Sequence, residues 1–457
     1  MVKEKSFYKT LLTIALPVAL QQLISLGVVM LDNVMVGGLG DVALSAVAQA
    51  NQVTVFFTYI VRGLSGGAAL LISQYWGKRD TARIKQIFSV VFLVTAFLSA
   101  SASVFVFTCP GAVMRFFAND EALIGEAVDY IRAVAVSYFL FAISDTLTGM
   151  LRCIELVKIT FLASVFSLFS NLFFNYSLIY GHFGFPALGV VGAAYATVIT
   201  RALELCIILV YFFCIQKRIK VRPVDLFRPG KTMFGDYCRY GLPILIGDAQ
   251  WGLVGVFKAA IIGQLGVQMV SASSIADTVM QLGLIFANGL AAAACVVIGK
   301  TVGAGDYART KEYSRTIEIL FAAVGIVMSL GIFFTRSLPI SLYSKITPET
   351  RALAYDLLGI GALTLMGTGY HMACFTGINR GAGDSRFVFI VDMICGWCVM
   401  LPLSLLAVFV FKWPLPVVFL CTRIDQCFKW VIAFIRLRGN KWIRRVVRDT
   451  PETSAAD

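Results

Sequence analysis

The sequence predicts an all-α membrane protein whose twelve transmembrane helices form two parallel-repeat six-helix lobes. Three observations carry this reading. Hydrophobic residues make up 58% of the 457-residue chain and charged residues only 14%, against roughly 25% charged in soluble globular proteins. Apolar runs long enough to cross a bilayer, about 20 residues each, recur twelve times. The second half of the chain also repeats the first at a fixed offset.

The apolar runs lie near 11–36, 43–72, 86–108, 122–150, 159–180, 188–215, 238–262, 270–298, 316–335, 352–378, 387–411 and 415–435. Lys3, Lys5 and Lys9 precede the first run. That run is too long for a signal-peptide core and lacks a small-residue cleavage site, so it reads as a retained span. The expected organisation is an N-terminal six-helix lobe (1–215), a basic linker (216–236), a C-terminal six-helix lobe (237–435) and a basic tail (436–457).

Charge sets the orientation. Of the 39 Lys and Arg residues, 28 fall on the side that holds both termini. Only Arg115, Arg336, Lys345, Arg351 and Lys412 fall on the other. The positive-inside rule puts both termini in the cytoplasm of a bacterial-type plasma membrane. The net charge of +13 is then topological, with some attraction to anionic lipid, and calls for no nucleic acid partner.

The repeat has an offset of 226 residues. Pro17 meets Pro243, Gly37 meets Gly263, and Leu39-Gly40 meets Leu265-Gly266. Gly63-Leu64 meets Gly289-Leu290, and Gly77-x-x-Asp80-x-Ala82-Arg83-x-Lys85 meets Gly303-x-x-Asp306-x-Ala308-Arg309-x-Lys311. An offset spanning six helices preserves direction through the membrane, so the repeats are parallel and related by an axis along its normal.

Several motifs carry no chemistry. The eleven Cys are scattered through apolar runs, which argues against a disulfide framework. Cys395-Gly-Trp-Cys398 sits in an apolar helix, where two Cys act as small apolar residues. Ala294 to Thr301 ends in Gly-Lys-Thr like a phosphate loop, but it lacks the first Gly and follows a span instead of a strand. No DxxD or HExxH cluster supports a metal-dependent membrane enzyme. The chain reads as a two-lobed membrane carrier without a resident cofactor.

Ionisable groups within spans mark function by default, because lipid makes them costly. Asp32 stands in the otherwise uncharged first run, in the half distant from the terminus. Burial disfavours its charged form, so it needs either a partner such as Arg62 or a role in carrying a cation. Asn171 and Asn175 share one helical face and suit either interhelical hydrogen bonding or ion binding. Thr197 and Thr200 either add oxygens to the same space or bond their own helix. In the second repeat Lys258 takes the place of Asp32, with Asp248 and Asp277 as its candidate salt-bridge partners. His371 either titrates near neutral pH or serves as a hydrogen-bonded structural group. Arg201 with Glu204, and Asp425 with Lys429, have the spacing of local ion pairs. Phe56, Phe57, Phe139, Phe141 and Trp251 are candidates for an apolar cavity lining.

Taken together, Pro17, LDNVMVGGLG (31–40) and GLSGGAALLISQYWGKRD (63–80) resemble the multidrug and toxic compound extrusion (MATE) transporters. The second-repeat copies GLPILIGDAQW (241–251), GLAAAACVVIGKTVGAGD (289–306) and GINRGAGDSRF (377–387) fit as well, and so does NYSLIYGHFGFPALGVVGAAYATVITR (175–201). The resemblance covers the chain to about residue 435 and rests on order, spacing and duplication. It implies a MATE-like fold and cation-coupled antiport that exports amphipathic, often cationic small molecules from a monomer embedded in lipid.

The resemblance also assigns cation coupling to Asp32, Asn171 and Asn175, with a departure. The family often shows Asn-x-x-x-Asp in the fifth span, and here the second position is Asn175. Two carboxylates can share a proton, whereas an Asp and an Asn cannot. The family's second-lobe acids would fall at Trp251 and near Gly369 to His371, none of which is acidic. A substrate cavity would then draw on Thr197, Thr200, Asp248, Trp251, Lys258, Asp277 and His371. Two alternatives keep the same topology. A flippase or exporter of a lipid-linked or anionic substrate would want Lys258, Arg62 and Arg132 in a cationic cavity. A major-facilitator-type transporter would want a different loop after the second span than Gly77-Lys-Arg-Asp80.

Overall fold

A backbone crosses hydrocarbon only as a helix or a closed barrel, because nothing else satisfies its polar groups there. The computed structural model describes residues 1–117, 121–341 and 346–448, and no strand occurs among them. Lys345 and residues 449–457 of the expected tail lie outside the described residues.

The first repeat opens with α1 (Lys5–Gly37), α2 (Asp41–Gly77) and α3 (Thr81–Thr108), and a short α4 (Pro110–Phe117) precedes α5 (Glu121–Cys153). Then come α6 (Lys158–Tyr180) and α7 (Gly189–Val210), which is extended by a π-helical turn, Tyr211–Ile215. A 3-10 turn at Pro223–Phe227 and α8 (Lys231–Tyr240) lead into α9 (Leu242–Gly263). The second repeat continues with α10 (Val267–Gly303), α11 (Tyr307–Thr335), a short α12 (Ser337–Ser341) and α13 (Pro348–Met372). After α14 (Ser385–Met393), α15 (Leu401–Leu405) and α16 (Leu415–Cys421), the chain ends its helices with α17 (Ile424–Arg438). π-helical stretches at Ala373–Asn379, Ile394–Met400 and Leu406–Val410 prolong their neighbours.

Eleven helices among the described residues are long and apolar enough to span a membrane. The run at 415–435 departs from the prediction of a single helix. It breaks at Thr422 and Arg423, where Arg423 leaves the helical path with φ −131°. The reason is electrostatic: the Arg423 guanidinium turns onto the Asp277 carboxylate and lies 5.0 Å over the Phe419 ring.

The helices form two compact units. One comprises Met1–Ala19, Ala69–Asp80 and the described chain from Gln250 onward. Here α2 and α10 approach through glycine. A Cβ on Gly77 would run into the Lys300 carbonyl, one on Gly303 into the Gln74 carbonyl, and one on Gly299 into Ser73. A Cβ on Gly289 would stand 2.5 Å from the Ala15 carbonyl oxygen. Small residues at crossings are the usual means of bringing membrane helices together. The N-terminus is tied down by Val2 N donating to Thr316 Oγ1 at 3.0 Å, and by Glu4 with Arg309 at 2.6 Å. That guanidinium holds the Glu4 carboxyl below its ordinary value.

The other unit comprises Leu20–Ala68 and Thr81–Ala249. Gly63 sits where a Cβ would be 2.7 Å from Leu245 Cα, and Gly67 where it would be 2.8 Å from Gly241 Cα. The linker is anchored and not free. Leu226 is buried, its carbonyl accepts from Ser89 Oγ at 2.9 Å, and Asp225 pairs with Lys85 at 3.4 Å. Tyr237 of α8 donates its hydroxyl to the Leu64 carbonyl at 3.1 Å.

Candidate functional site

Asp32 lies five residues before the end of α1. Asn171 and Asn175 lie one turn apart on α6, and both are buried. Local sequence fixes this pairing. Gly181 ends α6 in the left-handed conformation (φ 76°), which lets the amides of Gly181 and His182 return to the Ser177 carbonyl at 3.0 and 3.1 Å. That closing pattern needs glycine. The small-residue run opening α7 then packs close, since a Cβ on Gly192 would strike the Leu178 carbonyl. Tyr180 donates its hydroxyl to the Met35 carbonyl at 2.8 Å and so pins the end of α1 to α6.

Within this frame one amide organises three side chains. Asn175 Nδ2 donates to Asp32 Oδ1 and also to Asn171 Oδ1, the latter at 3.0 Å. Both protons of the amide are thereby used on acceptors. Asn175 Oδ1 is buried and has no hydrogen-bond partner. A buried acceptor left unpaired costs about 1–3 kcal/mol. Arg201 acts on the Asp32 charge from α7. It is itself held by Glu204 at 2.8 Å and lies 4.8 Å over the Phe141 ring. Asp32 is therefore anchored by amides and not by Arg62, which is exposed.

The remaining first-repeat candidates are structural in large part. Thr197 Oγ1 bonds its own helix at the Ala193 carbonyl, 3.0 Å away. Thr200 Oγ1 is buried without a partner. Phe57 is core, stacked on Tyr138 at 5.0 Å. Asp145, unassigned from sequence, accepts from Ser65 Oγ at 2.9 Å, and Arg132 is exposed. Asp248 is half-buried near the start of α9.

In the second repeat the charges close on one another. Lys258 pairs with Asp277 at 3.4 Å, one of its two expected partners, and Arg423 joins the same carboxylate. Lys429 is 1% exposed and bonds Asp392 at 2.9 Å and Asp425 at 3.0 Å. Its ammonium lies 4.2 Å from the Trp251 ring centroid. Trp251 thus faces a lysine of its own chain where the family's acid would stand. The Lys258–Asp277–Arg423 group holds one cation in excess and the Asp392–Lys429–Asp425 group one carboxylate in excess, so the six charges balance between them. His371 is buried with Nδ1 3.0 Å from the Gly367 carbonyl, the hydrogen-bonded structural arrangement. The Cys395 and Cys398 thiols are both free, the first buried and the second exposed.

Sequence reading missed two members of this half. Asp392 is an acid in an apolar run, but its partner Lys429, 37 residues further along the chain, stands at no local ion-pair spacing. Glu318 is buried on α11 and accepts from Tyr370 Oη at 3.0 Å and Ser314 Oγ at 3.3 Å. It stands close behind Lys311, Glu312 and Arg315 at the charged start of its span, where the sequence does not set one more acid apart.

Comparison with known proteins agrees with this architecture. The MatE family model matches residues 17–177 and 243–406, one block in each repeat. The uncharacterized transporter YisQ of Bacillus subtilis (strain 168) is 23% identical over 419 residues, covering 91% of this chain and 90% of its own. The probable multidrug resistance protein NorM of Agrobacterium fabrum (strain C58 / ATCC 33970) is 28% identical over 418 residues, covering 87% and 86%. Among solved structures, a MATE protein in complex with MaL6 superposes with a TM-score of 0.84 at 19% identity, covering 94% of this chain and 95% of that one. An outward-facing multidrug resistance MATE family transporter of the MOP superfamily gives 0.85 at 19% identity, covering 96% and 97%. With the family model matched across both repeats of an all-helical, multi-pass membrane chain, this protein belongs to the MatE family of multidrug and toxic compound extrusion transporters, a family of carriers and not of enzymes.

Proposed function

We propose that this transporter is a proton- or sodium-coupled antiporter that exports amphipathic, often cationic small molecules by alternating access, with Asp32 as its coupling group. It acts as a monomer in a bacterial-type plasma membrane with both termini cytoplasmic, and the lysine and arginine distribution supports that orientation. The observation that carries the reading is the orphan Asn175 Oδ1 beside a carboxylate held by amide donors.

With Asp32 ionised, Asn175 turns its NH2 toward the carboxylate. Once Asp32 takes up a proton it becomes a donor, and a half-turn of the amide presents Oδ1 to accept from it. The pair therefore keeps one hydrogen bond in either charge state of Asp32, given by the amide to the carboxylate or by the carboxylic acid to Oδ1, with Asn171 turning its own amide to follow. A monovalent cation would recruit the same oxygen together with the carboxylate. Neutralising Asp32 repacks α1 and favours outward release of substrate, and emptying it toward the inside restores substrate affinity. The neutral second-repeat network supports coupling through the first repeat, since its acids already hold cations supplied by the chain.

An exporter of anionic or lipid-linked substrates is disfavoured by the same arrangement, because Lys258, Arg423 and Lys429 are each committed to carboxylates. The deciding experiment is efflux of a cationic dye from proteoliposomes under separately imposed proton and sodium gradients. Wild-type protein responds to one gradient and Asp32→Asn to neither. Undiminished gradient-driven efflux by Asp32→Asn removes the proposal.

A further inference from the structure

The basic C-terminal tail does not trail into solvent. After Gly439 the chain turns back across the terminus-side ends of α2 and of the loop that follows Asn379. Arg444 N donates to the Ala382 carbonyl at 2.8 Å. Gln74 of α2 then reads the tail backbone on both sides: its Nε2 donates to the Arg444 carbonyl at 3.2 Å and its Oε1 accepts from Val446 N at 2.9 Å. The same Nε2 reaches the Gly381 carbonyl at 3.0 Å. One turn on, Lys78 Nζ donates to the Arg448 carbonyl at 2.6 Å, and Arg448 N donates to Tyr75 Oη at 3.3 Å.

Side chains seal the same path. Trp442 is 1% exposed, and Val446 and Val447 are buried. Asp384, fully buried, takes Arg436 at 2.7 Å and Arg444 at 3.2 Å. Gly383 has φ +89°, and a Cβ there would strike the Arg444 carbonyl. The loop is thus shaped to receive the tail backbone. Residues 444–448 are thus bonded both to the end of α2 with the adjoining Lys78 and to residues 382–384 of the second repeat, while Gln74 also reaches Gly381 directly.

We propose that residues 440–448 are a strap that holds α2 of the first repeat against the second repeat on the side of the membrane bearing the termini, and that this side opens only when the strap lets go. This rests on the alternating-access part of the proposed function, though not on its coupling ion or substrate. The strap lies directly beneath the glycine crossing of α2 with α10, so the two contacts must separate together.

A reporter can be set at that crossing. A Cβ on Gly299 of α10 would strike Ser73 Oγ of α2, and Ser73 is fully buried. A thiol placed at residue 73 therefore meets water when α2 and α10 part. The test is the rate of maleimide modification of Ser73→Cys, read by peptide mass spectrometry on purified full-length protein. Two further variants in that background are compared with it: a chain ending at Gly439, which keeps the Arg436 pair on Asp384, and Gln74→Leu, which keeps side-chain bulk but loses both Gln74 bonds to the strap along with its bond to Gly381. Both should raise the labelling rate at residue 73 on the order of tenfold, the effect of losing about one net hydrogen bond from the closed state. Variants that elute and melt like the parent yet label residue 73 at the parental rate would overturn the strap. If the truncated chain does not fold, Gln74→Leu decides alone. The readout needs no gradient or substrate, so a failure of cation coupling leaves it intact, and its own failure leaves coupling untouched.

Discussion

Gly303 of the second repeat packs on the backbone carbonyl of Gln74, and 226 residues earlier Gly77 packs on that of Lys300, the counterpart of Gln74. In both places there is no room for a Cβ, and the atom in the way is backbone, which cannot swing aside.

The first prediction concerns this crossing. Gly303→Ala and Gly77→Ala should each destabilise the protein by about 1–3 kcal/mol, the usual cost of overpacking a tight contact. Gly255→Ala on α9, where a new methyl meets nothing within 4 Å, should instead be neutral or add roughly 0.5–1 kcal/mol through helix propensity. Thermal unfolding in detergent separates the two classes.

The coupling amide gives the second prediction. Asn175→Leu removes the donor to Asp32 and the orphan acceptor together. Gradient-driven dye efflux should fall on the order of tenfold or more, the worth of one hydrogen bond to a charged group. Asn175→Asp should keep coupling and move the pH profile of efflux upward, because two adjacent carboxylates resist joint ionisation. Transport by Asn175→Leu at the wild-type rate would contradict the amide's role.

The buried lysine supplies the third. Lys429→Met strands Asp392 and Asp425 without their cation and should cost about 3–5 kcal/mol. Adding Asp392→Asn and Asp425→Asn should recover most of that loss, since neutral groups of similar shape replace the whole cluster. Melting temperatures of the single and triple variants test the difference.

The fourth concerns the linker. The Arg222 backbone amide, aided by Lys85, holds the Asp225 carboxyl below its ordinary value of 3.8. A depressed native value stabilises the fold above the unfolded value, and this contribution disappears as pH falls through the native one. Asp225→Asn should therefore make the 223–227 turn more sensitive to protease at neutral pH. With pepsin, cleavage of wild type and variant should converge as pH drops below about 3.8. A variant whose linker is cut no faster at any pH would show that Asp225 does not hold this turn.

Much of this architecture was legible in the sequence because membrane solvent imposes a simple rule on long stretches. The repeat offset survived in glycines, and one matched pair of them, Gly77 and Gly303, marks the crossing of α2 and α10. Asp32 and the Asn171–Asn175 pair stood out because polar groups in apolar runs need a reason. Pairing across helices was less legible. Lys429 sits at an ion-pair spacing from Asp425, but nothing local points to Asp392, which reaches it only through folding. The break at Arg423 likewise depends on Asp277, 146 residues away. The tail was readable only as basic. Its hydrogen bonds run through backbone atoms, which carry no residue-type signal, and through Trp442 and Val446, which look ordinary in a chain so rich in apolar residues.

The reciprocal glycine contacts have a consequence for ancestry. A position that touches the counterpart of its own neighbour, and is touched back in the same way, obeys the isologous rule of a two-fold homodimer. At this one crossing the two copies of the repeat still meet as separate identical subunits would. Fusion then freed each copy to diverge, with Asp32 kept in one half and Lys258 in the other, an asymmetry that no true homodimer could have encoded.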